Sequence, residues 1–134
     1  MTRLAPVLLA ALVVVLPACT PPVGPTDVQV VSGFRVSPTF NAFSQPCDIR
    51  YTLAEPALVQ IRVTQRQPDG SVALVHQVTE ERRETPGPRT AAWRGTGPNG
   101  LFASQGEYTV ELYARLHSSD RTESWELTTL MYRT

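Results

Sequence analysis

Residues Ala91 to Tyr113 read Ala-Ala-Trp-Arg-Gly-Thr-Gly-Pro-Asn-Gly-Leu-Phe-Ala-Ser-Gln-Gly-Glu-Tyr-Thr-Val-Glu-Leu-Tyr. A short apolar strand ends in Trp93. A loop rich in glycine, proline and asparagine follows, and Gly106 opens a long strand in which Tyr108, Val110 and Leu112 alternate with Thr109, Glu111 and Tyr113. Such alternation gives a strand one apolar and one polar face, and the residues before it are those that turn a chain. Strand, tight loop and strand in this order predict the corner of a β-sandwich.

Working outward, the same alternation extends through Ala114 and Leu116 and recurs upstream. Phe34 and Val36 begin a first strand that Pro38 closes. Cys47, Ile49, Tyr51 and Leu53 share one face of a second, and Val59, Ile61 and Val63 one face of a third. Pro68-Asp69-Gly70 is a turn, placing Val72, Leu74, His76 and Val78 on the face of a hairpin partner. The charged run Glu80-Glu81-Arg82-Arg83-Glu84 reads as a solvated loop. A fifth strand covers Arg89 to Arg94, and the sixth runs from Tyr108 to Leu116. A seventh spans about Thr122 to Tyr132, where Trp125, Leu127 and Met131 compete with Leu130 and Tyr132 for the inward face. The expectation is an all-β chain, an immunoglobulin-like or fibronectin-III-like sandwich of about seven antiparallel strands over residues 33–134.

The chain's beginning carries a different signal. Arg3 precedes an apolar run from Leu4 to Leu16, shorter than the roughly 20 residues that span a bilayer, so residues 1–18 read as an export leader. Leu16-Pro17-Ala18-Cys19 resembles the bacterial lipobox, which implies cleavage before Cys19 and lipidation of its thiol. Two or more acyl chains hold a protein stably on a membrane, at about 0.8 kcal/mol for each buried methylene. Thr20 stands where an Asp would resemble an inner-membrane retention signal, which tilts the expectation toward an outer membrane. Residues 19–32, with Pro21, Pro22 and Pro25, read as a tether, its first part spanning roughly 25 Å at about 3.1 Å per residue of polyproline helix.

Composition narrows the function classes. The chain has 134 residues, and the 116 left after the leader suffice for one core without disulfide staples. All twelve basic residues are Arg, against twelve acids, and losing Arg3 leaves a net charge of −1. That balance excludes a bulk electrostatic attraction to nucleic acid or to an anionic membrane surface.

The order Pro38, Ile49-Arg50-Tyr51-Thr52-Leu53, Val59 to Gly70, Trp93-Arg94-Gly95 and Gly106-Glu107-Tyr108 resembles the immunoglobulin-like domain of flagellar hook-capping (FlgD-type) proteins. Arg94 departs from the acidic or amide residue common there. The resemblance implies a binding or assembly accessory of the cell envelope with a protein partner. The late Gly-x-Tyr strand is also similar to BsuPI-like proteinase inhibitors, which implies an inhibitory role for an exposed loop such as Thr85 to Pro88.

Chemistry-bearing residues are few. Tyr108 reads as a tyrosine corner whose hydroxyl bonds nearby backbone, Trp93 as core, and Cys47 as a buried thiol behaving as a small hydrophobe. His117, Ser118, Ser119 and Asp120 sit in one tight turn, from which a catalytic triad is not assembled. Glu107 and Glu111 stand about 13 Å apart along a strand, too far for a glycosidase pair. Two separated His and one Cys do not make a metal set. The expectation is therefore a non-enzyme without cofactor. Arg62, Tyr113 and Arg115, outward on neighbouring strands, form the candidate partner-binding face, since Tyr and Arg are enriched at interface hot spots.

Overall fold

A computed structural model describes residues 29–134. The chain is all-β: β1 (Val31–Val36), β2 (Thr39–Asn41), β3 (Cys47–Leu53), β4 (Ala57–Arg66), β5 (Val72–Glu84), β6 (Gly87–Trp93), β7 (Gly106–Leu116) and β8 (Thr122–Tyr132). They form two sheets in a sandwich-like arrangement, one ordered β1-β3-β6 and the other β2-β8-β7-β4-β5. The leader, Cys19 and most of the tether lie outside the described residues.

Clean alternation maps onto the core as expected. Cys47, Ile49, Tyr51 and Leu53 on β3, Val59, Ile61 and Val63 on β4, and Tyr108, Val110, Leu112, Ala114 and Leu116 on β7 are all buried. On β8 the inward set is odd-numbered, with Thr129 and Met131 buried and Trp125 packed against the core, while Leu130 and Tyr132 face solvent. Val30 and Val31 are also buried, so the core reaches two to three residues earlier than Gly33.

The strand count and direction differ from the expected seven antiparallel strands. After Ser37 and Pro38 the chain crosses to the other sheet and forms β2, which runs parallel to β8 from Thr39↔Leu130 to Asn41↔Tyr132. The Leu130 amide donates to the Pro38 carbonyl and the Thr129 hydroxyl to the Ser37 carbonyl, fixing the crossing while Phe40 drops into the core. Three residues are too few to show a period.

The face expected for β5 is also corrected. Val72 and Leu74 are exposed, whereas Val75 is buried and Val78 packs on the core. Against β4 the register slips three times, between Val59 and Ile61, Ile61 and Arg62, and Val63 and Thr64. At each slip β5 carries one extra residue, and Val75 and Val78 are two of these. Bulges reverse side-chain parity and twist an edge strand away from further pairing.

Trp93 sits at the centre of one end, fully buried, with Phe40 at 5.5 Å and Tyr108 at 5.0 Å between ring centroids, both edge-on. Its Nε1 donates to the Thr96 carbonyl at 2.9 Å, and the Tyr108 hydroxyl donates to the Ser104 carbonyl at 2.5 Å. The two polar tips of the buried aromatics thus hold both arms of the loop between β6 and β7.

Candidate functional site

The register gives the molecule two poles. Val31 pairs with Leu53 and Leu53 with Gly87, so the chain enters where β3 ends, beside the β3–β4, β5–β6 and β7–β8 connections. Cys47 pairs with Trp93 and Gly106 with Met131, which puts the β6–β7 loop and the residues after β2 at the opposite pole.

At the entry pole the first core residues are held by a carboxylate. Glu123 on β8 accepts from the Val30 amide at 2.7 Å and the Val31 amide at 3.0 Å, and pairs with Arg121. Burial pushes the Glu123 carboxyl up, but the two amides, the nearby Trp125 indole and the Arg121 guanidinium outweigh it and hold the group below its ordinary range.

The run from Glu80 to Glu84 is strand, not loop. It completes β5, and Glu84 is buried, its Oε1 accepting from the Tyr51 hydroxyl at 2.6 Å and its Oε2 from Arg82 Nε at 3.3 Å. A donor from the facing sheet, invisible in the local sequence, is what admits that carboxylate to the interior. Burial first, then the Glu84 carboxylate, push the Tyr51 phenol far above its ordinary range. Between β5 and β6 the side of the sandwich opens into a cleft of about 480 Å³ lined by Arg82, Arg83, Glu84, Thr85, Arg89 and Thr90 among others. Only Thr85 and Pro86 connect the two strands, and Arg89 Nε and Nη2 fold back onto the Thr85 carbonyl at 3.1 and 2.6 Å.

The expected partner-binding residues occupy the outer face of the larger sheet. Arg62 and Tyr113 come together over Glu111: Arg62 Nε donates to Glu111 at 2.8 Å, the Tyr113 hydroxyl donates to the same oxygen at 2.9 Å, and the guanidinium lies 5.0 Å from the Tyr113 ring centroid. Arg115 points elsewhere and pairs with Glu81 at 3.2 Å in an exposed contact.

The opposite pole presents what alternation did not reveal. The β6–β7 loop is a compact hairpin in which the Gly97 amide donates to the Leu101 carbonyl and the Ala103 amide to the Gly95 carbonyl. Gly95 has φ 84°, and a Cβ there would stand 2.7 Å from Met131 Sδ and 2.8 Å from Ala42 Cβ. So pinned, the loop holds Leu101 and Phe102 in solvent at 67% and 46% exposure. Phe43, 58% exposed, meets Phe102 edge-on at 5.2 Å. Apolar side chains amid turn residues were the sequence signal for this cluster.

Cys47 is buried, and desolvation pushes its thiol up more than hydrogen bonds to Thr129 and Ser37 draw it down. In the β7–β8 turn, Ser119 Oγ accepts from the Arg121 amide at 3.3 Å. Among the described residues no three His, Cys, Asp or Glu side chains gather to hold a metal ion, and no helix is long and apolar enough to cross a membrane. No protein-family model and no curated protein matches this chain, which leaves its own geometry as the ground for function.

Proposed function

We propose that this chain is an exported, lipid-anchored envelope protein whose single immunoglobulin-like domain is a non-catalytic binding or assembly accessory. The observation that carries the reading is the opposition of the two poles. The chain enters beside Val31, while Phe43, Leu101 and Phe102 stand exposed at the far end. A domain tethered through Cys19 would hold that cluster away from the lipid surface, toward an envelope protein. Exposed apolar side chains gathered on a rigid loop mark interaction sites, and aromatic residues are favoured anchors. The outer-face residues Arg62 and Tyr113 are less suited as anchors, because Glu111 already takes up their donors.

The proteinase-inhibitor alternative has less support. Its candidate loop reduces to Thr85 and Pro86 between two strands, and Arg89 braces it from below. That leaves no extended segment to lie in a protease cleft.

Photo-crosslinking in intact cells tests the reading. A benzoylphenylalanine at position 102 should capture a discrete envelope protein in chains that retain Cys19, and the same group at position 62 should not. Equal capture from both positions, or none from either, would sink it. Cys19→Ala should release the protein from the membrane fraction.

A further inference from the structure

We propose that the open cleft between β5 and β6 is a binding site for phosphate groups. Three guanidiniums, those of Arg82, Arg83 and Arg89, line it against a single carboxylate, Glu84. That carboxylate is already engaged, with one oxygen taken by Tyr51 and the other by Arg82 Nε. The cleft therefore keeps positive charge that no interior group balances.

The arrangement arises from the strands themselves. Neighbouring strand residues project to opposite faces, so Arg82, opposite Val59, and Arg83, opposite Leu58, straddle the β5 edge. Arg89 reaches in from β6, its Nε and Nη2 bonded to the Thr85 carbonyl, which holds the planar group beside the opening. Arg82 spends only Nε on Glu84, and Arg83 makes no ion pair or side-chain hydrogen bond among the described residues. The hydroxyl-bearing Thr85 and Thr90 complete the polar lining.

Gathering like charges costs energy through mutual repulsion, which an anionic ligand would relieve. Guanidinium forks match carboxylate and phosphate alike. Arg83 keeps its whole fork, Arg82 its two Nη groups and Arg89 its Nη1; a lone carboxylate offers these donors two oxygens, whereas a phosphate monoester offers three strong acceptors. The class assigned is therefore a phosphate monoester. Two sources share this chemistry, a soluble phosphate monoester and the monoester headgroup of a membrane lipid such as phosphatidic acid. The second rests on the lipid-anchored reading, since the cleft lies at the pole where the chain enters.

Arginine-directed labelling with phenylglyoxal, read residue by residue by mass spectrometry on the full-length chain in detergent, tests the site without requiring the anchor. Sodium pyrophosphate should protect Arg82, Arg83 and Arg89, rising to roughly tenfold once it exceeds its Kd about tenfold. Arg35 and Arg50, exposed and opposite one another on β1 and β3, should label at an unchanged rate. Arg83→Ala should weaken protection of Arg82 and Arg89 while leaving the unfolding midpoint unchanged. Absence of protection, equal protection at Arg35 and Arg50, or the same protection by sodium chloride at matched ionic strength would overturn the proposal. With pyrophosphate protection established, reconstitution into phosphatidylcholine vesicles with and without phosphatidic acid separates the sources. Added protection by the anionic vesicles assigns headgroups, and protection by pyrophosphate alone assigns a soluble ester.

Discussion

The phenol of Tyr51 and the carboxylate of Glu84 meet at 2.6 Å in the interior, joining β3 of one sheet to β5 of the other. Each is buried, and each supplies what the other would otherwise lack. Hydrogen bonds to charged groups contribute about 1.5–3 kcal/mol, and losing the donor leaves the acceptor desolvated. Tyr51→Phe should lower stability by about that amount in urea unfolding. A double-mutant cycle with Glu84→Gln should return a coupling energy of about 0.5–3 kcal/mol. Additive single effects would show that the contact does not bind the sheets together.

Glu123 predicts a pH dependence. Its carboxyl is held below the ordinary value by the Val30 and Val31 amides, despite burial. A depressed folded pKa stabilises the protein above the unfolded value, and that contribution is lost as pH falls through the folded one. The difference in urea midpoint between the natural chain and Glu123→Gln should be full at neutral pH and shrink below about pH 4, the ordinary carboxyl range. A difference constant from pH 7 to pH 3 would contradict this role.

Around Trp93 the demands are steric. Trp93→Ala removes a fully buried ring packed against Phe40 and Tyr108 and should cost about 3–5 kcal/mol in thermal or urea unfolding. Gly95→Ala meets both a positive φ and a Cβ blocked by Met131 and Ala42, and overpacking of this kind costs about 1–3 kcal/mol. An unchanged melting temperature in either variant would contradict the packing described.

Cys47 should be chemically silent in the folded protein. Burial raises its thiol pKa and denies access, so iodoacetamide labelling at mildly alkaline pH should proceed at the rate of unfolding. Rapid labelling without loss of structure would show an open path to the sulfur.

How much of this was legible in the sequence follows from where the determinants lie. On β3 and β7 alternation is unbroken through the core, and on β4 it holds from Ala57 to Val63, where Thr64 is buried as well, so the buried apolar residues could be read directly. On β5 the bulges place Val75 and Val78 inward, and no local pattern announces an extra residue that exists only relative to β4. Charge made Glu84 look solvated, but its environment is decided by Tyr51, 33 positions away. Alternation predicts one outward face for Arg62, Tyr113 and Arg115, but it does not show that Glu111 takes hydrogen bonds from the first two or that Arg115 pairs with Glu81. Phe43, Leu101 and Phe102 belong to no period, and only the fold gathers them.

The parallel pairing of β2 with β8 bears on the order in which the molecule comes together. Residues 39–41 find their strand partner at residues 130–132, so the early segment that carries Phe40 and Phe43 waits for β8 to fix it. Contacts so distant in sequence form late, because a long loop must close first. A chain emerging from its N-terminus would have Trp93 to set against Phe40 but no strand beside it until β8 emerged, making that interval the one in which the protein most needs shielding from its neighbours.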